Sequence, residues 1–451
     1  MTNVDADPTR WTTGLYAPVE QEVTATDLPV RGTLPPELDG RYLRNGPNPV
    51  GAAPEGGQHW FTGAGMVHGV RLRDGRAEWY RNRYVRSGGV TDVLGEPDRG
   101  GPLHDGSRGP ANTNVVGIGG RTFAIVEAGS FPIELDDELE TIASSDFGGT
   151  LRTSFSAHPK RDPATGLLHT MTYYWPEESV HYVVVGPDAT VVHDAAIPVG
   201  GRPMVHDTAI TETRVLVLDL PCTFSMDDAG AGAPLPYRWE AGRPARVGVL
   251  PLGGSADDVV WCSVDPCYVF HPLNAHDLPD GRIEAFVVRH PKMFDTDRLG
   301  PNEGAPTLER WVIDPASGTV KEERLDDRSQ EFPRVPDALV GRPARYGYTV
   351  GFDVAHGTTS ALYKHDVTRD TSEVRSFGPT AMAGEAVFVP RDGATAEDDG
   401  YLLTLVTDAA DERSALHVLS AHDVGGDPVA VVDLPQRVPL GFHGNWIPTG
   451  A

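Results

Sequence analysis

Fifty-one glycines and 39 prolines punctuate the 451 residues, and they leave little uninterrupted room for helix. Both residue types disfavour helix interiors, glycine through backbone entropy and proline through its missing N–H. The segments between the breaks are short and rich in Val, Tyr, Phe and Thr, the residues that suit a pleated surface. "MVHGVRLRDGRAEWYRNRYVRS" reads as two strands joined at Asp74-Gly75, a strong hairpin signal. "NTNVVGIGGRTFAIVEAG" reads likewise around Gly119-Gly120. Further candidates include "LLHTMTYYW", "VHYVVVG", "RVLVLDLP", "RIEAFVVRH", "LERWVID" and "YLLTLVTD". Sustained 3.6-residue apolar periodicity is absent. The pattern predicts about twenty short strands, few helices and a single all-β domain. In a simple sandwich so many strands would leave long exposed edges, whereas a propeller shortens and protects them by radial repetition. No 40–50-residue sequence repeat is visible, so any blades have diverged. A propeller must also close its ring, which gives the C-terminal "GFHGNWIPTGA" a structural task.

The net charge of −26 repels nucleic acid phosphates and argues against a nucleic-acid partner. Cys222, Cys262 and Cys267 are too few for a disulfide framework or a four-cysteine zinc site, and a reducing cytoplasm fits them best. The acidic "MTNVDADPTR" start has no apolar h-region, so no signal peptide is expected. No apolar run approaches the ~18–20 residues of a membrane span. Peripheral contact with a membrane surface stays open.

Four of the sixteen histidines stand out by context: His158 in "FSAHPK", His206 in "PMVHDTA", His271 in "YVFHPLNAHD" and His443 in "GFHGNW". Each borders an apolar or aromatic strand-like segment. Their separations are far too long for a local metal motif, but they suit ligands supplied singly by different blades to a common axis. From spacing alone they are equally readable as hydrogen-bonded structural residues. His59, His68, His104, His276 and His356 sit in comparably polar contexts.

Ten motifs resolve the ambiguity. "GRYLRNGPNP" (40–49), "HWFTGAGMVHG" (59–69), "NTNVV" (112–116), "VEAGSFPIELD" (126–136), "FSAHPKRDPATG" (155–166), "MVHDTAIT" (204–211), "FHPLNAHD" (270–277), "EFPRV" (331–335), "GEAVFVPR" (384–391) and "GFHGNW" (441–446) occur in the order seen in carotenoid cleavage oxygenases. The chain resembles that family from about residue 28 to its end. The resemblance implies a seven-bladed β-propeller, with loops and short helices forming a cap over an axial iron site. Residues 1–27 would be a partly irregular extension and 28–451 a single domain. It implies one Fe(II) per chain held by His158, His206, His271 and His443. Glu127 would orient His206, Glu331 would orient His271 and Glu385 would orient His443, leaving His158 without a carboxylate partner. Such a site suits imidazole and ferrous iron, and outer carboxylates fix each ring's tautomer without occupying a coordination position.

The implied reaction is cleavage of a conjugated C=C bond by O₂ into two carbonyl products, by a monomeric enzyme. The substrate would be a carotenoid or apocarotenoid, with a lignostilbene- or resveratrol-type stilbene as the alternative. Phe61, Val126, Phe155 and Phe270 are the candidate substrate contacts. The stilbene branch commonly sets a lysine immediately before the first of the three glutamates; Val126 stands there, which favours a polyene. Two positions depart from the family pattern: Ala64 where many relatives read Asp, and Asp277 where they often read Glu.

Overall fold

The computed structural model describes residues 7, 9–51, 57–301, 303–353 and 358–450. His356 lies outside them. Strands dominate as expected, but among the described residues there are 33 of them rather than about twenty. The excess comes from strands of two to four residues, such as Lys160–Arg161 and Ala209–Ile210, too short to show a period in sequence. Among the described residues helix is confined to Gly88–Leu94, Met226–Gly230 and four 3₁₀ turns. Both predicted hairpins form. Gly65–Arg73 pairs with Arg76–Tyr84, and Asn114–Ile118 pairs with Arg121–Ile125. Asp74 and Gly75 take φ of 50° and 70°, and Gly119 and Gly120 take 60° and 70°, as a type I′ turn requires at both central residues.

The strands form a propeller-like all-β array. Five sheets of four to six strands are blade-like and separate. Seven separate blades do not appear. In place of two of them stands one continuous eight-stranded sheet, running from Ala209–Ile210 to Tyr268–Asp277. The cause is a single parallel pair, Ser263 with Thr319, which joins the outer strands of two four-stranded meanders. A two-stranded ribbon, Cys222–Phe224 with Tyr237–Trp239, completes the set. Apolar side chains fill the spaces between neighbouring sheets in several distinct clusters.

The ring is closed twice by strands from opposite ends of the chain. Gly40–Pro47 pairs with Gly65–Arg73 on one side and Gly444–Pro448 on the other, with Arg44 opposite Gly444 and Gly40 opposite Pro448. Val30–Gly32 pairs with Ala430–Asp433. The first residues described are also tied down: Trp11 is buried, stacks on Trp60 at 5.2 Å and donates to the Leu299 carbonyl at 2.8 Å.

A Cβ at Gly441 would land on Arg44 Nη1, and one at Gly444 would lie 2.9 Å from the Leu43 carbonyl oxygen. Glycine is therefore needed at 444, where the neighbour is backbone, whereas a side chain at 441 would have to displace the buried Arg44 side chain. Phe442 is buried, whereas Trp446 is only half-buried. The anchoring expected of two aromatics thus falls mainly on Phe442. Among the described residues no helix is long and apolar enough to cross a membrane.

Candidate metal centre

The inner edge strand of a blade can present one residue toward the axis while its hydrogen bonds hold the sheet behind it. His158 lies just before Lys160–Arg161, His206 just before Ala209–Ile210, and His443 just before Gly444–Pro448; each of these strands is an edge strand. His271 sits within Tyr268–Asp277, where the pairing with Ile283–His290 skips between Val269 and Pro272. A bulge of this kind redirects a side chain, and here it releases His271 from the regular ladder.

The four imidazoles converge. One ligand-capable atom from each lies within 4.8 Å of the others, and all four residues are buried. His158 Nε2 is 3.0 Å from His206 Nε2, which is 3.2 Å from His271 Nε2. His443 packs edge-on to His158, with ring centroids 4.4 Å apart.

The opposite ring nitrogens meet carboxylates. His271 Nδ1 lies 2.6 Å from Glu331 Oε2, and His443 Nδ1 lies 3.0 Å from Glu385 Oε1. His206 Nδ1 is 2.6 Å from Glu127 Oε2, a close contact that lies off the hydrogen-bond direction. Glu331 and Glu385 place the ring protons of His271 and His443 on Nδ1, and the negative charge of Glu127 beside His206 Nδ1 favours the same tautomer there, so the Nε2 atoms of His206 and His271 face each other with lone pairs. Two acceptors at 3.2 Å repel unless a cation stands between them. Metal–imidazole bonds of about 2.0–2.1 Å meeting at a right angle put adjacent nitrogens about 3 Å apart, in agreement with both Nε2 separations. The residues fit a divalent metal. Three carboxylates and the guanidinium of Arg334, which lies 3.1 Å from Glu385, leave a surplus of two negative charges that such an ion neutralises.

The titration shifts follow from this packing. Burial and the neighbouring imidazoles push His158 well below its ordinary value. Burial takes His271 down to about 3 against the pull of Glu331. His206 moves the other way: burial opposes a charge there, but Glu127 outweighs it. Two of the imidazoles are thus held neutral, as metal ligands must be. Burial also opposes ionisation of Glu331, yet the His271 and His290 imidazoles hold it far below the carboxylate range. Glu385 is held at about 2, because Arg334 and His443 outweigh its burial.

A depressed carboxyl contributes stability that is present above its unfolded value and lost as pH falls. The metal-free protein is therefore expected to lose on the order of a few kcal/mol between pH 4.5 and about 2 through Glu385. Denaturant midpoints measured across that range on the parent and Glu385→Gln check this. The variant should show a shallower acid loss.

The cluster separates two unlike cavities. One, of about 300 Å³, is lined by Phe61, Val126, Phe270, Phe332 and Phe442, with Glu127, His206, His271 and His443 at its base. The other, of about 920 Å³, is polar and reaches His158, His271 and His443 between Lys160, Asp207 and Arg334. Of the four candidate substrate contacts, Phe61, Val126 and Phe270 line the apolar cavity. Phe155 does not. It is fully buried in a separate cluster, edge-on to Phe147 at 5.4 Å, where it packs the core.

Four other histidines in polar sequence contexts have local partners. His59 Nδ1 accepts from the Phe61 amide, His68 meets Tyr80, His104 meets the Gly129 carbonyl, and His276 lies 3.6 Å from Glu284. Ala64 packs in a small apolar cluster with Met66, Tyr84 and Val90 and lines neither cavity. Asp277 accepts from Arg214 at 2.6 Å and Thr213 at 2.8 Å.

Two residues escaped the reading of the sequence. Arg334 joins Glu385 to the tail, donating to the Gly444 carbonyl and the Asn445 side chain at 3.1 and 3.2 Å. Its position three residues after Glu331 in "EFPRV" was the available signal. His290, at the end of an apolar strand, carried none. Backbone strain marks the same places: Ala128 and Phe332, immediately after Glu127 and Glu331, have φ of 62° and 53°. Non-glycine residues outside tight turns seldom occupy this region.

The profile of the family described as retinal pigment epithelial membrane protein matches residues 16–448. A carotenoid cleavage oxygenase of Mycobacterium tuberculosis is 44% identical, with 97% of each chain covered. The apocarotenoid-15,15'-oxygenase of Synechocystis is 30% identical over 98% of this chain and 97% of its own. Among solved structures, the lignostilbene dioxygenase of Pseudomonas brassicacearum superposes with a TM-score of 0.88 at 28% identity, covering 98% of both chains.

Proposed function

The chain belongs to the carotenoid cleavage oxygenase family, and from that premise we propose that it is a non-haem Fe(II) oxygenase cleaving a conjugated C=C bond of a carotenoid or apocarotenoid. The observation that carries this reading is the set of four buried imidazoles at the floor of an apolar cavity, three of them backed by carboxylates. His158, His206, His271 and His443 would hold the iron. Once bound, Fe(II) would activate O₂ for addition of its two atoms across the double bond, which breaks into two carbonyl products.

The remaining work belongs to the chain's own groups. Glu127, Glu331 and Glu385 keep the ring protons on Nδ1 and aim each Nε2 inward. Phe61, Phe270 and Phe332 form walls that exclude water and align a flat polyene. Phe270 stands edge-on to His206 at 5.1 Å, and Phe332 stacks on His271 at 5.7 Å. Val126, directly before Glu127, offers hydrocarbon to the substrate where a phenol would need a polar partner. We read the eight-stranded sheet as two blades bridged at one residue pair, giving seven around the axis in a single domain of residues 28–451. On this reading the loops around Trp60–Thr62 form the cap.

The test is iron analysis of the purified protein, followed by aerobic incubation with carotenoids, apocarotenals and hydroxystilbenes. Retained iron and two carbonyl products from a polyene are the expected result. Failure to retain iron after anaerobic Fe(II) reconstitution would sink the metal assignment. Cleavage of stilbenes alone would replace the substrate class.

A further inference from the structure

His290 belongs to none of the roles described so far, yet it is as buried as the four clustered imidazoles. It ends the strand Ile283–His290, opposite Tyr268 at the start of the strand that carries His271. Its Nε2 lies 2.8 Å from Glu331 Oε1. The other oxygen of that carboxylate, Oε2, takes His271 Nδ1 at 2.6 Å and the Phe332 amide at 2.5 Å. One carboxylate therefore joins two imidazoles, one facing the metal cluster and one not.

A glutamate held through a single oxygen can swing about its last torsion, which has broad preferences. A donor on each oxygen removes that freedom. Glu385 is braced in the same manner, with His443 on Oε1 and Arg334 and the Gly444 amide on Oε2. His290 does for Glu331 what Arg334 does for Glu385. It is itself fixed by Phe270, edge-on at 5.2 Å and 89°, and it borders the apolar cavity.

We propose that His290 is a positioning residue: by donating Nε2–H to Glu331 Oε1 it fixes the carboxylate plane, and through it the orientation and donor strength of His271 toward the metal. The inference rests on the proposed metal centre. Outer partners of metal ligands typically govern affinity by about 10–100-fold, and an effect in that range is expected here.

The experiment compares the parent protein with His290→Phe, which removes the donor but keeps a ring, and His290→Gln, which keeps a donor. Each is loaded anaerobically with Co(II) as a spectroscopic probe. Affinity is read by competition with a chelator, and geometry by the visible ligand-field bands. His290→Phe should bind Co(II) about 10–100-fold more weakly, with altered bands and an unchanged far-UV circular dichroism spectrum. His290→Gln should stay within a few-fold of the parent and keep its bands. A folded His290→Phe that matches the parent in affinity and spectrum overturns the proposal while leaving the metal centre intact. Should His290→Phe fail to fold, His290→Gln decides alone, and tight binding lost in that folded variant overturns the proposal. A parent that binds no metal overturns both the centre and the role of His290.

Discussion

His443→Ala is expected to abolish metal retention and oxygenase activity while leaving the fold in place. Losing an outer-shell partner typically weakens metal affinity by about 10–100-fold, and deleting a direct ligand should exceed that range. The fold should survive because the main chain at this position is held independently of the ring. The Asn45 amide donates to the His443 carbonyl at 3.0 Å, and the His443 amide donates to the Thr113 carbonyl at 3.2 Å. Glu385 would not be orphaned either, since Arg334 and the Gly444 amide still donate to it. Iron per chain, turnover and far-UV circular dichroism check the three parts separately. A variant that stays active would show that His443 is not a ligand.

Truncation after Phe442 should cost as much metal and far more stability. It removes a strand with five residues in register against Gly40–Arg44. Burial of Ile447 contributes about 1.5–3 kcal/mol, and each ladder hydrogen bond about 0.5–1.5 kcal/mol. Asn445 also donates to Asn114 and to the Val115 carbonyl, both at 2.9 Å. Arg334 would lose two of its acceptors while remaining mostly buried. A loss of several kcal/mol beyond that of His443→Ala is expected, visible as a lower denaturant midpoint or as insoluble protein. If the truncated chain melts together with His443→Ala, the strand does not hold the ring closed.

Much of this site could be read before any coordinates. The all-β class followed from glycine, proline and strand composition, and the hairpins at Asp74-Gly75 and Gly119-Gly120 from their turn chemistry. The four histidines could not be picked out by spacing, because strands far apart in the chain bring them together. The ordered motifs singled them out, with their glutamates. Phe155 was misjudged because nearness to His158 in sequence does not say which way a side chain points. His290 was invisible because a lone histidine at a strand end looks the same whether it braces a carboxylate or merely fills space. The joining of two four-stranded meanders into one sheet through Ser263 and Thr319 depends on one long-range pair, which no local pattern encodes.

The double closure has a consequence for the order of events during synthesis. Val30–Gly32 and Gly40–Pro47 leave the ribosome about 400 residues before their partners Ala430–Asp433 and Gly444–Pro448. At about 5–20 residues per second, the wait is roughly 20–80 seconds. Throughout that interval the nascent chain carries unpaired strand edges, the kind of surface that invites aggregation. His158, His206 and His271 can gather in that time, but His443 joins them only as Gly444–Pro448 pairs with Gly40–Pro47. On the proposed function, metal loading would be coupled to ring closure and not to the folding of any one sheet.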